Sequence, residues 1–237
     1  MIADNRRKSR FGAGALAAGI GTALGLATMA FASRSAVRDR SFTLEDGRRL
    51  VQSALPSDIP LTINEPVLAQ LNRFAGTPEG RAFVKRGLVR MERYREMVEE
   101  HIKEFGLPLD LASLPLLESG YNNAATSPAG SAGIWQFMAA TARRYGLIVG
   151  NGVDQRRDEE KLTVAAMRYL KDLHGMFGDW RLALKSYNEG EVAVTQLINE
   201  QGTSDPWAIE AAAPSREQYL AKFTAILLIV KNPALLD

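Results

Sequence analysis

The chain has 237 residues, 46% of them hydrophobic and 24% charged, with a formal charge of +2 and no cysteine; that length holds one domain of ordinary size plus a targeting segment. The lack of cysteine excludes a disulfide framework, a thiolate nucleophile or metal site, and a lipid-modified N-terminal cysteine. Asp4 against Arg6, Arg7, Lys8 and Arg10 puts +3 into the first 32 residues and leaves the remainder near −1, so a nucleic-acid binder loses its electrostatic footprint and no nucleic-acid partner is expected.

Residues 1–10 are basic, and Phe11 to Ala32 form an uncharged apolar run of 22 residues that closes on Ala30-Phe31-Ala32. A positive start, an apolar stretch and a small-x-small ending describe an export signal peptide cleaved after Ala32. The same run is just long enough to span a bilayer, and an uncleaved membrane anchor is the reading favoured here. Either way the basic flank stays cytoplasmic and everything after Ala32 is exported. Residues 33–76 read as a linker punctuated by Pro56, Pro60 and Pro66, with a short lead-in helix from Pro66 to Phe74 that ends at Gly76.

Residues 77–237 read as the functional domain. Thr77-Pro78 marks a helix start, with Thr as cap and Pro in the first turn. Val84, Leu88, Met91, Val98, Ile102 and Phe105 then recur at helical spacing, so one face is buried, and Gly106 closes the helix. The opposite face, rich in Arg and Glu, is a solvated face with helix-spaced pairs. A short apolar helix from Asp110 to about Glu118 comes next. Further helices are expected over Met138 to Tyr145, from an Asp158 cap to Phe177, from an Asp179 cap to Tyr187, over Glu191 to Glu200, and over Ser215 to Lys231. Ser215 and Gln218 form a candidate capping box for the last of these. Asn151 to Asp158 reads as a loop. No stretch alternates with period two over a strand's length, so the domain is expected to be all-α, with seven or eight helices.

One carboxylate stands out. Glu118 ends its helix beside Leu114, Leu116 and Leu117 and is followed at once by a polar, glycine-punctuated loop. An apolar wall disfavours the charged form, and the negative end of the helix dipole pushes the same way. Both raise the pKa, as a general acid working near neutral pH requires.

Glu118-Ser119, Ser127 with Gly130 and Gly133, Gly133-Ile-Trp-Gln136 with Met138, and the later Ser186-Tyr187-Asn188-Glu-Gly190 resemble, in order and separation, the successive motifs of the soluble-lytic-transglycosylase (SLT) domain. The resemblance covers about residues 85–230. It implies a lysozyme-like helical fold and non-hydrolytic cleavage of the β-1,4 bond between N-acetylmuramic acid and N-acetylglucosamine in peptidoglycan glycan strands, at the extracytoplasmic face of the inner membrane or in the periplasm. By that analogy Glu118 acts as acid and then as base, leaving a 1,6-anhydro end. Ser127 and Tyr187 would orient Glu118, while Gln136, Met138, Asn188, Trp135 and the Gly133 backbone would line the sugar subsites. Core packing is an equally open role for Trp135. Ser119 is expected to fix the helix end.

Glycosidic cleavage commonly uses two carboxylates, whereas the stretch around Glu118 offers one, with Asn122, Asn123 and Ser127 where a second acid would be sought. One-acid chemistry needs another route, such as help from the substrate's own N-acetyl group. The chain departs from the family pattern at Ser186 and Glu189, where alanines flank the Tyr-Asn pair, and at Ser215, where a glutamate is common. A muramidase-type hydrolase using Glu189 or Glu191 to position water therefore stays open, as does a non-catalytic peptidoglycan-binding scaffold. His101 and His174 lie on separate helices without carboxylates at ligand spacing, and no glycine-rich phosphate loop follows a strand, so neither a metal nor a cofactor is expected.

Overall fold

The computed structural model describes residues 39–213, 215 and 217–237. The apolar run over 11–32, with its reading as signal or anchor, lies outside the described residues. Among the described residues, no helix is long and apolar enough to cross a membrane.

Local signals set the helix boundaries. Thr43 starts α1 (Leu44–Ser53) with a full capping box, its side chain accepting from Asp46 N while the Asp46 carboxylate accepts from the Thr43 backbone. Asn64 caps α2 (Glu65–Leu71), and Thr77 caps the 27-residue α3 (Pro78–Glu104); each has a proline in its first turn, where its missing N–H goes unnoticed. A 3-10 turn, Leu109–Ser113, leads into α4 (Leu114–Ser119). After α5 (Ala139–Arg144), two-residue strands β1 (Val149–Gly150) and β2 (Val153–Asp154) pair antiparallel. Asp158 then caps α6 (Glu159–Phe177), and Asp179 caps α7 (Trp180–Glu189). α8 (Glu191–Gln201), α9 (Pro206–Ala212) and α10 (Tyr219–Lys231) complete the described chain.

The fold is mostly helical, with ten α-helices among the described residues. Eight of them, α3 to α10, fall within 77–237, the number expected there; the helices not individually foreseen are α1, inside the stretch expected as linker, and α9, which Asp205 and Pro206 start with the same cap-and-proline signal used at Thr77. The helix expected over 110–118 is split, because Pro115 lacks the N–H that an α-helix begun at Asp110 would need, so it is accommodated in the first turn of α4 instead. The loop over 151–158 contains the strand β2 and a 3-10 turn. The last helix starts at Tyr219 and not Ser215, since Gln218 adopts a left-handed φ of 52° and spends its amide oxygen on Gln70 Nε2 at 2.9 Å; the capping box does not form.

α10 is apolar on nearly every side, and a helix of that kind must be buried all round. Ten of its residues are buried, Tyr219 through Ala221 and Phe223 through Ile229, and it packs against α2, α4, α7 and α9. The predicted faces of α3 (Val84, Met91, Val98, Ile102) and α6 (Leu162, Ala166, Leu170, Leu173) close the same core. A smaller apolar cluster of Leu182, Val194, Leu197 and Ile209 joins α7, α8 and α9.

The buried Asp110 knots three segments together. Its Oδ2 accepts from Ser57 Oγ at 2.6 Å, Asp58 N at 2.9 Å and Ile59 N at 3.1 Å, and its Oδ1 lies 2.8 Å from Lys231 Nζ at the end of α10. Burial alone would raise its pKa, but the hydrogen bonds from Lys231, Ser57 and Ile59 outweigh it, and the net shift is downward. A depressed native pKa gives stability that is present above the unfolded value and is lost as pH falls through the native one. Asp110→Asn is therefore expected to destabilise the fold by about 2–4 kcal/mol at pH 7, with the gap to wild type closing as pH falls below about 4, read by thermal melts across pH.

Candidate active site

α4 is only six residues long, and its end is shaped by two left-handed residues in succession, Gly120 at φ 59° and Tyr121 at φ 54°. Gly120 N–H returns to Leu116 O and Tyr121 N–H to Pro115 O, so the chain reverses just after Glu118. The Ser119 hydroxyl donates to Ile134 O at 2.9 Å and accepts from Asn122 N at 3.1 Å, tying the helix end to the 131–138 loop. That is the fixing role expected for Ser119. Arg90 Nη1 reaches Gly120 O from α3 at 3.1 Å.

Glu118 is half-buried and has no ion pair among the described residues. Its pKa is raised to about 7: burial drives it up, the hydroxyl of Tyr219 pulls it down, the charge of Glu217 pushes it up and that of Lys222 lowers it. The hydrogen bond that reaches the carboxyl comes from Tyr219, at the first turn of α10, whose hydroxyl donates to Oε1. Tyr219 and Tyr187 both have phenol pKa values pushed well above the ordinary range by burial and by the nearby Glu118 charge. Tyr187 thus faces Glu118, but its hydroxyl donates to Trp135 O at 2.6 Å.

Ser127 belongs to a separate network. Its hydroxyl and that of Ser131 lie 2.8 Å apart, and Ser131 donates to Gln136 Oε1 at 2.8 Å while Gln136 Nε2 donates to Gly133 O at 2.7 Å. The hydroxyls of Ser127 and Tyr187, expected to orient Glu118, are thus hydrogen-bonded within and to the 127–136 loop, and the hydrogen bond to the carboxyl comes from Tyr219. Trp135 takes the core-packing role, one of the two left open for it. Trp135 is fully buried, with Nε1 donating to Thr163 Oγ1 at 2.9 Å, so its ring has no face for a sugar. Gly133, at φ 81°, is needed because an added Cβ would sit 2.1 Å from Arg156 O and 2.5 Å from Leu162 Cδ2, so its bareness serves packing. Gln136 is half-buried, and Met138 and Asn188 are exposed, so these three remain accessible.

The other carboxylates nearby are neutralised. Glu189 accepts from Lys185 Nζ at 3.2 Å and from the Ser215 hydroxyl, and Glu191 pairs with Arg144 and accepts from Tyr169. Arg144 holds the Glu191 carboxyl below the usual range. Asn123 spends its amide on Arg157 O and Glu159. The Ser186 hydroxyl is buried without a hydrogen-bond partner, and nothing in the structure explains it. His101 lies against Glu104, and His174 stacks on Trp180 at 4.1 Å.

Fold and site together define a mostly helical domain carrying a partly desolvated glutamic acid whose pKa is raised to about 7. The Transglycosylase SLT domain family matches residues 96–210, and the chain belongs to it, with that family's lysozyme-like helical fold. The chain is similar to membrane-bound lytic murein transglycosylase D of Escherichia coli, at 36% identity over 149 residues that make up 61% of this chain and 33% of that protein. It is also similar to a putative tributyltin chloride resistance protein of Alteromonas sp., at 31% identity over 147 residues, 61% of this chain and 71% of that protein. Among solved structures it resembles an inactive mutant of the lytic transglycosylase Slt from Pseudomonas aeruginosa, with a TM-score of 0.49 and 22% identity over 60% of this chain and 24% of that one. The chain spans about a third of the length of transglycosylase D. Tyr219 lies beyond the residues that the family matches.

A raised native pKa on an acid has a stability signature opposite to that of Asp110. The native state binds the extra proton between the unfolded value of 4.5 and about 7, so stability is highest below 4.5 and falls as pH rises through 7. Glu118→Gln, which keeps an oxygen for Tyr219, is expected to stabilise the fold by roughly 1–3 kcal/mol at pH 8 and by little at pH 4. Chemical denaturation at the two pH values measures the difference.

Proposed function

We propose that the chain is a peptidoglycan lytic transglycosylase with Glu118 as its proton donor and acceptor. The observation that carries this reading is a lone carboxyl group whose pKa of about 7 lets it give a proton and take one back near neutral pH. Glu118 protonates the glycosidic O4 as the C1–O4 bond breaks, with positive charge at C1 relieved by the substrate's own N-acetyl oxygen. The muramyl C6 hydroxyl then attacks C1 and returns its proton to Glu118. Water is not consumed, and the product ends in 1,6-anhydro-N-acetylmuramic acid. Gln136, Met138 and Asn188, which stay accessible, are the side chains proposed to contact the glycan.

The hydrolase alternative requires a second carboxylate to hold a water. Glu189 and Glu191, its candidates, are tied to Lys185 and Arg144, and this favours the transglycosylase. A purely binding scaffold has no use for a carboxyl held protonated at a cost to stability above neutral pH. We further assign residues 77–237 to the catalytic domain, 33–76 to a lead-in, and 11–32 to an uncleaved anchor that places the domain on the extracytoplasmic side of the inner membrane. An intact mass that begins at Met1 in the membrane fraction is the expected result, and one that begins at Ser33 would mark a cleaved signal.

For the chemistry, glycan strands digested with wild type are expected to give anhydromuramyl ends by mass spectrometry, and Glu118→Gln to lower the rate by at least ~10³-fold, the order lost with an essential acid–base group. Reducing muramic ends would replace the transglycosylase with the hydrolase, and undiminished digestion by Glu118→Gln would remove Glu118 from the mechanism.

A further inference from the structure

A buried charge near the site takes no part in that chemistry. Lys185 lies on α7 two residues before Tyr187, its side chain fully buried, with Nζ 3.0 Å from Glu210 Oε2 and 3.2 Å from Glu189 Oε1. Burying an ammonium between carboxylates is an inefficient way to gain stability, since well-packed apolar side chains of similar volume commonly do as well. What the group does is geometric. Glu210, on α9, turns its other oxygen toward the start of α10, where Oε1 accepts from Leu220 N at 2.8 Å and Ala221 N at 3.5 Å. α10 has no cap of its own, because Gln218 is left-handed and its amide oxygen accepts from Gln70. A carboxylate in that position supplies both the missing acceptor and the charge that the helix N-terminus favours. Glu189 meanwhile accepts from the hydroxyl of Ser215, in the connection that leads into α10. Lys185 therefore lies under both of the carboxylates that set where α10 begins. The first residue of that helix is Tyr219, and its hydroxyl ends on Glu118.

We propose that Lys185 and Glu210 are positioning residues for the reaction: the buried pair fixes the first turn of α10 and, through it, the placement of the Tyr219 hydroxyl on the Glu118 carboxyl. The inference rests on Glu118 being the proton donor, yet its geometric half can be read without turnover. Loosening the pair withdraws a hydrogen bond that favours the Glu118 carboxylate, and so lets its pKa rise; Glu217 and Lys222, which flank Tyr219 and act on Glu118 with opposite signs, belong to the same turn, while Tyr187 stays on α7.

The test is a ¹³C-carboxyl NMR titration of Glu118 in the full chain, alongside kcat and KM on glycan strands. Glu210→Gln keeps an oxygen for the α10 N–H groups and removes the charge; Lys185→Met removes the cation and fills its space. Tyr219→Phe is the reference. Both variants are expected to move the Glu118 midpoint upward, as Tyr219→Phe does, by on the order of 1 pH unit. They are also expected to lower kcat by ~10-fold with KM nearly unchanged. In the Tyr219→Phe background, Glu210→Gln should move the midpoint no further. A folded Glu210→Gln protein with an unmoved midpoint overturns the proposal, as does a shift of equal size without the Tyr219 hydroxyl. Should Lys185→Met fail to fold, Glu210→Gln alone decides. Absence of anhydromuramyl ends from the wild type would count against the reaction assigned above, while the titration would still decide the positioning.

Discussion

Everything at this site follows from keeping one carboxyl group neutral without sealing it in. An acid that is wholly buried cannot meet a substrate, and one that is wholly exposed titrates too low to donate a proton at neutral pH. α4 meets both demands by being short: Leu114, Pro115 and Leu116 bury its first part, and the chain turns away through Gly120 and Tyr121 just after Glu118. Tyr219 works against this burial. Burial raises the Glu118 pKa, the tyrosine hydroxyl lowers it, and the balance stands at about 7.

The same economy explains the neighbouring acids. Glu189, Glu191 and Asp110 each have a cation within ion-pair distance, and each is used to hold segments together. Division of labour between tethered and untethered acids, and not the number of acids, makes the site a one-carboxyl site. Arg157 does comparable structural work through carbonyls: it gathers Asn123 O and Ala125 O and shapes the loop after α4 without approaching Glu118.

What could be read from the chain alone was local. The caps at Thr77, Asp158 and Asp179 and the apolar faces of α3 and α6 are short-range signals, and they appear in the structure where the residues place them. Glu118 was legible for the same reason, since its leucines and its terminating glycine are sequence neighbours. Its partner was not. Tyr219 lies 101 residues further on, and nothing in the Gln-Tyr-Leu around it shows which carboxyl its hydroxyl meets. Trp135 and Gly133 illustrate a second limit. An indole serves a core as readily as a sugar face, and a bare backbone serves a neighbouring carbonyl as readily as a ligand, so only three-dimensional surroundings separate the uses. α1 and α9 are a different matter, because Thr43 with Asp46 and Asp205 with Pro206 were ordinary cap signals in plain view.

Because α10 is buried on almost all sides, its docking is among the long-range steps of folding, and it is also the step that delivers the phenol to the acid. A chain emerging from the ribosome that has built only α3 and α4 holds the glutamate but not the tyrosine. Placement of the phenol on the acid is in this way coupled to completion of the core, and a partly folded intermediate would carry the acid without its setting.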